Sequence, residues 1–97
     1  MKGSLKRRRY VLIAHSGADL RKLERALSGK HEARVRLTRG EFAVIGTNQL
    51  EKDGLCKEIE SLFPDVRIVT VSGTIHKCLR VISRLENSVK DSRSPHP

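Results

Sequence analysis

At 97 residues the chain has the length of one domain. Its 37% hydrophobic content is too high for a disordered chain, and it has no apolar run near the roughly 18–20 residues of a membrane-spanning helix. Twenty Lys and Arg against 11 Asp and Glu leave a net charge of +9, the electrostatic footprint of a protein that meets a polyanion. Two cysteines, Cys56 and Cys78, make no disulfide framework, and no cleavage site follows the short apolar stretch near the start. The expectation is an intracellular, cytoplasmic protein without a membrane anchor.

Residues 1–8 hold Lys2, Lys6, Arg7 and Arg8 and no acid, and read as a flexible basic arm that continues into Arg9. Tyr10 to Ala14 is a short β-branched and aliphatic run, expected as a central strand apolar on both faces. Asp19 to Leu27 follows as a helix with Leu20, Leu23 and Leu27 on one face, stopped at Ser28-Gly29. From Glu32 to Thr38 apolar and polar residues alternate. Strict alternation would place Ala33, Val35 and Leu37 inward and Arg34, Arg36 and Thr38 outward. Arg39-Gly40 turns the chain, and Phe42 to Ile45 pairs back as a hairpin.

Asn48 to Glu51 has the pattern of a capping box, opening a helix that runs to Phe63 with Leu55, Ile59, Leu62 and Phe63 inward. Gly54 would cost that helix about 1 kcal/mol relative to alanine. Pro64-Asp65 ends it, Val66 to Val71 is the last strand, and Ser72-Gly73-Thr74 leads into a final helix from Ile75 to about Val89. On that helix Ile75, Cys78, Leu79, Ile82, Leu85 and Val89 form one stripe, with Lys77, Arg80 and Arg84 opposite. The order β-α-β-β-α-β with an additional C-terminal helix defines an α+β, ferredoxin-like sandwich: an antiparallel sheet with helices on one face and the other open near Arg34 and Arg36. The expected organisation is the arm at 1–8, one domain at 9–90 and a disordered tail at 91–97.

Catalytic patterns are missing. His15, His31, His76 and His96 show no metal-ligand spacing with the cysteines, no nucleophile stands beside a base, and no glycine-rich nucleotide loop occurs. The segment Arg39 to Val44 invites comparison with an RNA-recognition strand, yet Glu41, Ala43 and Gly46 stand where stacking aromatics belong. With aromatics at 3% of the chain, a base-stacking platform is not expected. RNA would then be held through phosphates, by Arg7, Arg8, Arg9, Arg34, Arg36, Lys77, Arg80 and Arg84. Ser72, Gly73 and Thr74 would offer hydroxyl and backbone donors at a helix start. The same helical row reads equally as an ordinary solvated face. The helix from Asn48 to Phe63 is the acidic element, and Glu51, Glu58 and Glu60 mark it as a surface for a protein partner.

The stretch Val66-Arg67-Ile68-Val69-Thr70-Val71-Ser72-Gly73-Thr74-Ile75-His76-Lys77-Cys78 resembles the archaeal ribonuclease P protein component 2 family, whose last strand ends in a similar Val-Ser-Gly-Thr before a basic helix. The basic start Lys6 to Tyr10 and the hairpin followed by a helix are similar too. The resemblance covers residues 32–82. It implies a non-catalytic protein cofactor of the RNA enzyme that trims the 5′ leader from precursor tRNA, binding the catalytic region of that RNA beside a barrel-shaped protein subunit. It implies no cofactor in the protein, with Mg2+ entering only through the RNA. The family carries a longer, helix-bearing insertion between its first two strands, where only residues 16–31 lie here, so the chain reads as a shortened relative. The alternatives are a ribosomal or other ribonucleoprotein accessory protein, and a homodimeric ligand-binding or assembly domain whose open sheet face is covered by a second copy.

Overall fold

The computed structural model describes residues 7–17 and 19–93, with side chains described to residue 87. The elements in chain order are β1 (Arg8–Ala14), α1 (Leu20–Ser28), β2 (Arg34–Arg39), β3 (Phe42–Asn48), α2 (Lys52–Leu62), β4 (Arg67–Ser72) and α3 (Ile75–Arg93). The strands form one antiparallel sheet in the order β2-β3-β1-β4. Because β1 and β2 both run against β3, they are parallel to each other and α1 is their crossover. Because β3 and β4 both run against β1, α2 is the second crossover. Two interleaved β-α-β units result, compatible with the ferredoxin-like arrangement expected above.

Val11, Leu12 and Ile13 are wholly buried, so the central strand has an apolar layer on each side. On one side Val11, Ile13, Ala43 and Ile45 pack with Leu23 and Leu27 of α1 and Leu55 and Ile59 of α2. On the other, Leu12 and Val44 pack with Cys78 and Ile82 of α3, with Tyr10, Leu37, Phe42, Val69 and Leu79 around them. The sheet face expected to be open is thus occupied by α3. The physical reason is the stripe on α3 itself: an amphipathic helix directly after β4 can bury its apolar residues only against the face that α1 and α2 leave uncovered. α3 thus occupies the face that the homodimeric alternative reserved for a second copy. Val89 and the expected tail at 94–97 lie outside the described side chains and residues, while α3 continues through residues 91–93.

Strict alternation fails in β2. The register slips between Val35 and Leu37, so Val35 joins the α1/α2 layer and Leu37 the α3 layer. Arg36 is the extra residue of this bulge. A second bulge falls in β4, where Thr70 faces Leu12 and Ile68 faces Ile13, leaving Val69 between them. Both edge strands are therefore bulged, a device that discourages edge-to-edge pairing. The β2 edge is further blunted by Glu24, whose Oε2 accepts the Val35 N–H at 2.8 Å. The hairpin β2–β3 closes on Gly40-Glu41, with Gly40 at φ +59° and no positive φ at Glu41, the pattern of a type II′ turn.

Asp19 caps α1 through the Arg21 and Lys22 N–H groups. Asn48 Oδ1 accepts from the N–H groups of Leu50 and Glu51, both at 2.9 Å. The expected capping box does not form: α2 begins at Lys52 with Glu51 in its cap position and no side-chain cap bond, Asn48 closes the preceding turn, and Glu51 turns its carboxylate to His31 Nδ1 at 2.8 Å. His31 lies so close over Gly54 that a Cβ there would stand 3.0 Å from its Cε1, which accounts for a glycine inside α2. Leu62, expected inward, is 49% exposed. It sits at the last turn of α2, and Phe63, leaving the helical backbone, packs on the core instead.

Replacing Ile82 by alanine should destabilise the domain by about 2–5 kcal/mol, the cost of a fully buried isoleucine. Urea unfolding checks this. A loss below about 1 kcal/mol would mean that α3 is not docked on the sheet.

Candidate nucleic-acid interface

The sheet brings distant basic segments to one end. Along one row of the register stand Arg34, Gly46, Tyr10 and Ser72, one from each strand, and the next positions outward on β1 are Arg9 and Arg8. Arg7, Arg8, Arg34 and Arg36 are exposed and Arg9 is half-buried. The Arg7 carbonyl accepts the Gln49 N–H at 2.8 Å, so Arg7 and Arg8 are tied to the sheet while residues 1–6 of the expected arm lie outside the described residues. The β4-to-α3 turn, Ser72-Gly73-Thr74, closes this end, and Lys77 projects from the first turn of α3. Thr74 Oγ1 accepts the Lys77 N–H at 3.2 Å and so caps the start of α3.

Arg9 is the best-held cation of the group. Its Nε donates to Gln49 Oε1 at 2.6 Å, and its Nη1 lies 2.8 Å from where a Cβ on Gly73 would stand. Glycine is what lets the guanidinium rest on the turn. Arg9, Gln49, Lys52, Val71, Ser72 and Gly73 line one shallow cleft. Gln49 and Lys52 fall within the segment Asn48 to Phe63 that the sequence marks as the acidic, protein-facing helix. The signal that separates them is the cap: everything before Glu51 belongs to the turn that meets β1, and the start of α2 faces the basic end. Lys52 is paired with the exposed Asp53 at 3.2 Å, a contact of little worth to stability.

Arg36, at the β2 bulge, lays its stem across Gly46, where a Cβ would stand 3.0 Å from its Cγ and 3.7 Å from Tyr10 Cε1. Its stem thus covers apolar sheet and leaves the charged end at the surface. Arg80 and Arg84 are exposed on α3 but run away from this end. Further along, Glu86 pairs with Arg39 at 3.1 Å, which fixes α3 as a diagonal from the β4 edge toward the far end of β2. The sites expected from sequence therefore divide into a clustered set at the sheet end and a separate ridge on α3.

The three acidic positions expected to meet a protein partner differ in what they do. Glu51 holds His31, and Glu58 pairs with Lys30 at 3.4 Å and stands 3.9 Å from His31 Nε2. Glu60 alone of the three is exposed with no ion pair to a described residue. Phe42 and Tyr10 are half-buried at the layer under α3, so the sheet face presents no stacking platform. Among the described residues no group of three or more His, Cys, Asp and Glu is arranged to hold a metal ion, and no helix is long and apolar enough to cross a membrane. No protein-family model, curated protein or solved structure matches the chain.

The two thiols sit in opposite layers and are unpaired. Burial pushes both up from the ordinary thiol value. At Cys56 the carboxylates of Asp53 and Glu60 add to this and Lys52 partly offsets it, while at Cys78 a hydrogen bond with Ser72 partly offsets it. The neutral thiol therefore persists to higher pH than in an unfolded chain, and alkylation should be slower at pH 8 in the folded protein, with its half-maximal rate moved to higher pH. Iodoacetamide labelling with and without urea checks this. Equal rates in the two states would contradict it.

Proposed function

We propose that this chain is a non-catalytic, RNA-binding subunit of a ribonuclease P-type ribonucleoprotein, built on a ferredoxin-like sandwich and acting in 5′ processing of precursor tRNA. The observation that carries the reading is that Arg7, Arg8 and Arg9 at the head of β1, Arg34 and Arg36 of β2, and Lys77 beside the Ser72-Gly73-Thr74 turn all stand at one end of the sheet, spread across its width. None of these six cations has an ion pair with a described residue. Glu32, whose Oε1 accepts from Asn48 Nδ2 at 2.7 Å beside Arg8, offsets part of this charge, and an external polyanion would relieve the like-charge repulsion that remains.

The role that follows is to neutralise and hold an RNA fold, so that the RNA needs less Mg2+ to reach its working structure. The bond-breaking chemistry and its metal ions belong to the RNA. Arg80 and Arg84 extend the phosphate-facing surface along α3, and the acidic outer side of α2 around Glu60 is the surface for a second protein subunit. The resemblance of Val66 to Cys78 to the ribonuclease P family supports this choice among RNA-binding roles.

Binding to structured RNA should weaken steeply with salt. Each neutralised phosphate contributes about −0.9 to the log–log slope on a duplex, so four or more contacts predict a slope of about −3.6 or steeper. Filter binding across a salt series measures it, and a flat dependence would end the RNA reading. RNA crosslinked to the native protein and sequenced should be dominated by a ribonuclease P RNA. Ribosomal RNA in its place would move the chain to the ribosomal accessory proteins. The double variant Arg80→Glu, Arg84→Glu should lower RNA affinity by roughly tenfold or more with the unfolding midpoint unchanged, both positions being exposed. Unchanged affinity would remove the α3 ridge from the interface.

A further inference from the structure

A second arginine cluster lies around the edge of the sheet from the first. Arg21, Glu24, Arg25, Ser28, Ala33 and Arg34 line an open groove between α1 and the edge strand β2. Arg21 and Arg25 are one helical turn apart on α1, and like charges at that spacing disfavour the helix. Arg25, in the last turn, is favoured there by the helix dipole, which leaves Arg21 unaccounted for. Arg34 lines the groove from the strand edge, its partner Gly46 placing its Cβ on the α3 side of β2. Arg21, Arg25 and Arg34 are exposed, and none has an ion pair with a described residue. The one acid in the groove offsets part of their charge but forms no ion pair with any of them. Glu24 is half-buried and spends its carboxylate on the backbone N–H of Val35 at 2.8 Å.

We propose that this groove is a second phosphate-binding surface, which grips the RNA backbone on the β2 side while the sheet end grips it on the other, with Arg34 common to both. The inference rests on the RNA-binding reading above and extends it to residues outside that set. No aromatic side chain lines the groove, so its ligand is the sugar–phosphate backbone and not an unstacked base. Guanidiniums suit this task, since each presents a planar fork of donors to phosphate oxygens. Two cationic surfaces meeting at an edge fit a folded or duplex RNA that wraps around β2, and a short single strand would reach only one of them.

The test uses the full chain and a long RNA duplex as probe, with Arg21→Glu, Arg25→Glu compared against Arg8→Glu, Arg36→Glu at the sheet end. The groove variant should bind roughly tenfold or more weakly at low salt, and its salt slope should be shallower by about 1–2. The milder Arg21→Gln, Arg25→Gln, which spares the helix dipole a new negative charge, should give a smaller loss in the same direction. Circular dichroism and the urea midpoint confirm folding of each variant. If the sheet-end variant loses affinity while both groove variants bind as the wild type does, the groove inference is overturned and the RNA reading stands. If the wild type does not bind the duplex, the RNA reading fails and takes the groove with it. If the groove variants keep RNA affinity but lose binding to a polyglutamate peptide, the groove serves an acidic protein segment and the inference is overturned.

Discussion

Burial of β1 on both faces is the constraint on which the rest of the molecule depends. Val11, Leu12 and Ile13 have no exposed surface, and consecutive residues of a strand point to opposite sides. Such a strand must sit in the middle of its sheet with a layer on each side. α1 and α2 form one layer and α3 the other. Because β1 is central, its first residues emerge where three other segments meet: the end of β3, the turn that leads into α2, and the end of β4. The basic run at its head is therefore delivered to the middle of one end of the fold, and not to a periphery.

The polar order at that end follows from the same geometry. Arg9 stands on the α2 side of β1, where Gln49 and the glycine of the β4-to-α3 turn can hold it. Arg36 stands at the bulge of β2, with its stem over Gly46. Glycine at both positions lets an arginine lie against the backbone. Two cations fixed in this way lose less side-chain freedom on meeting a phosphate than two free arginines would. The acidic part of α2 is occupied differently: Glu51 and Glu58 engage the His31–Lys30 segment that links α1 to β2, and so brace the crossover.

Several elements are legible in the residues alone. The double-faced run of β1, the leucine spacing of α1, the Gly40 turn and the apolar stripe of α3 each follow from short-range periodicity or turn chemistry. Two features are not legible. Val35 and Leu37 look alike in an alternating run, yet they lie in different layers because a bulge is decided by cross-strand register, which no local pattern records. Arg21 and Arg25 look like the solvated side of an amphipathic helix. They acquire a shared groove with Arg34 only when the crossover sets α1 beside the β2 edge.

The net charge of +9, its concentration in an acid-free start, an arginine-bearing strand and a basic final helix, and the scarcity of aromatics belong to the sequence. Those properties favour the proposed phosphate-directed surface over base stacking, because they concern which side chains are available and not where they lie. Tertiary structure decided which cations act together. It joined Arg9 to Gln49, Lys52 and Gly73, kept Arg80 and Arg84 on a separate ridge, and closed the supposedly open face with α3. The reason is that electrostatic cooperation depends on separation in space, and a sheet with two crossovers makes neighbours of residues far apart in the chain.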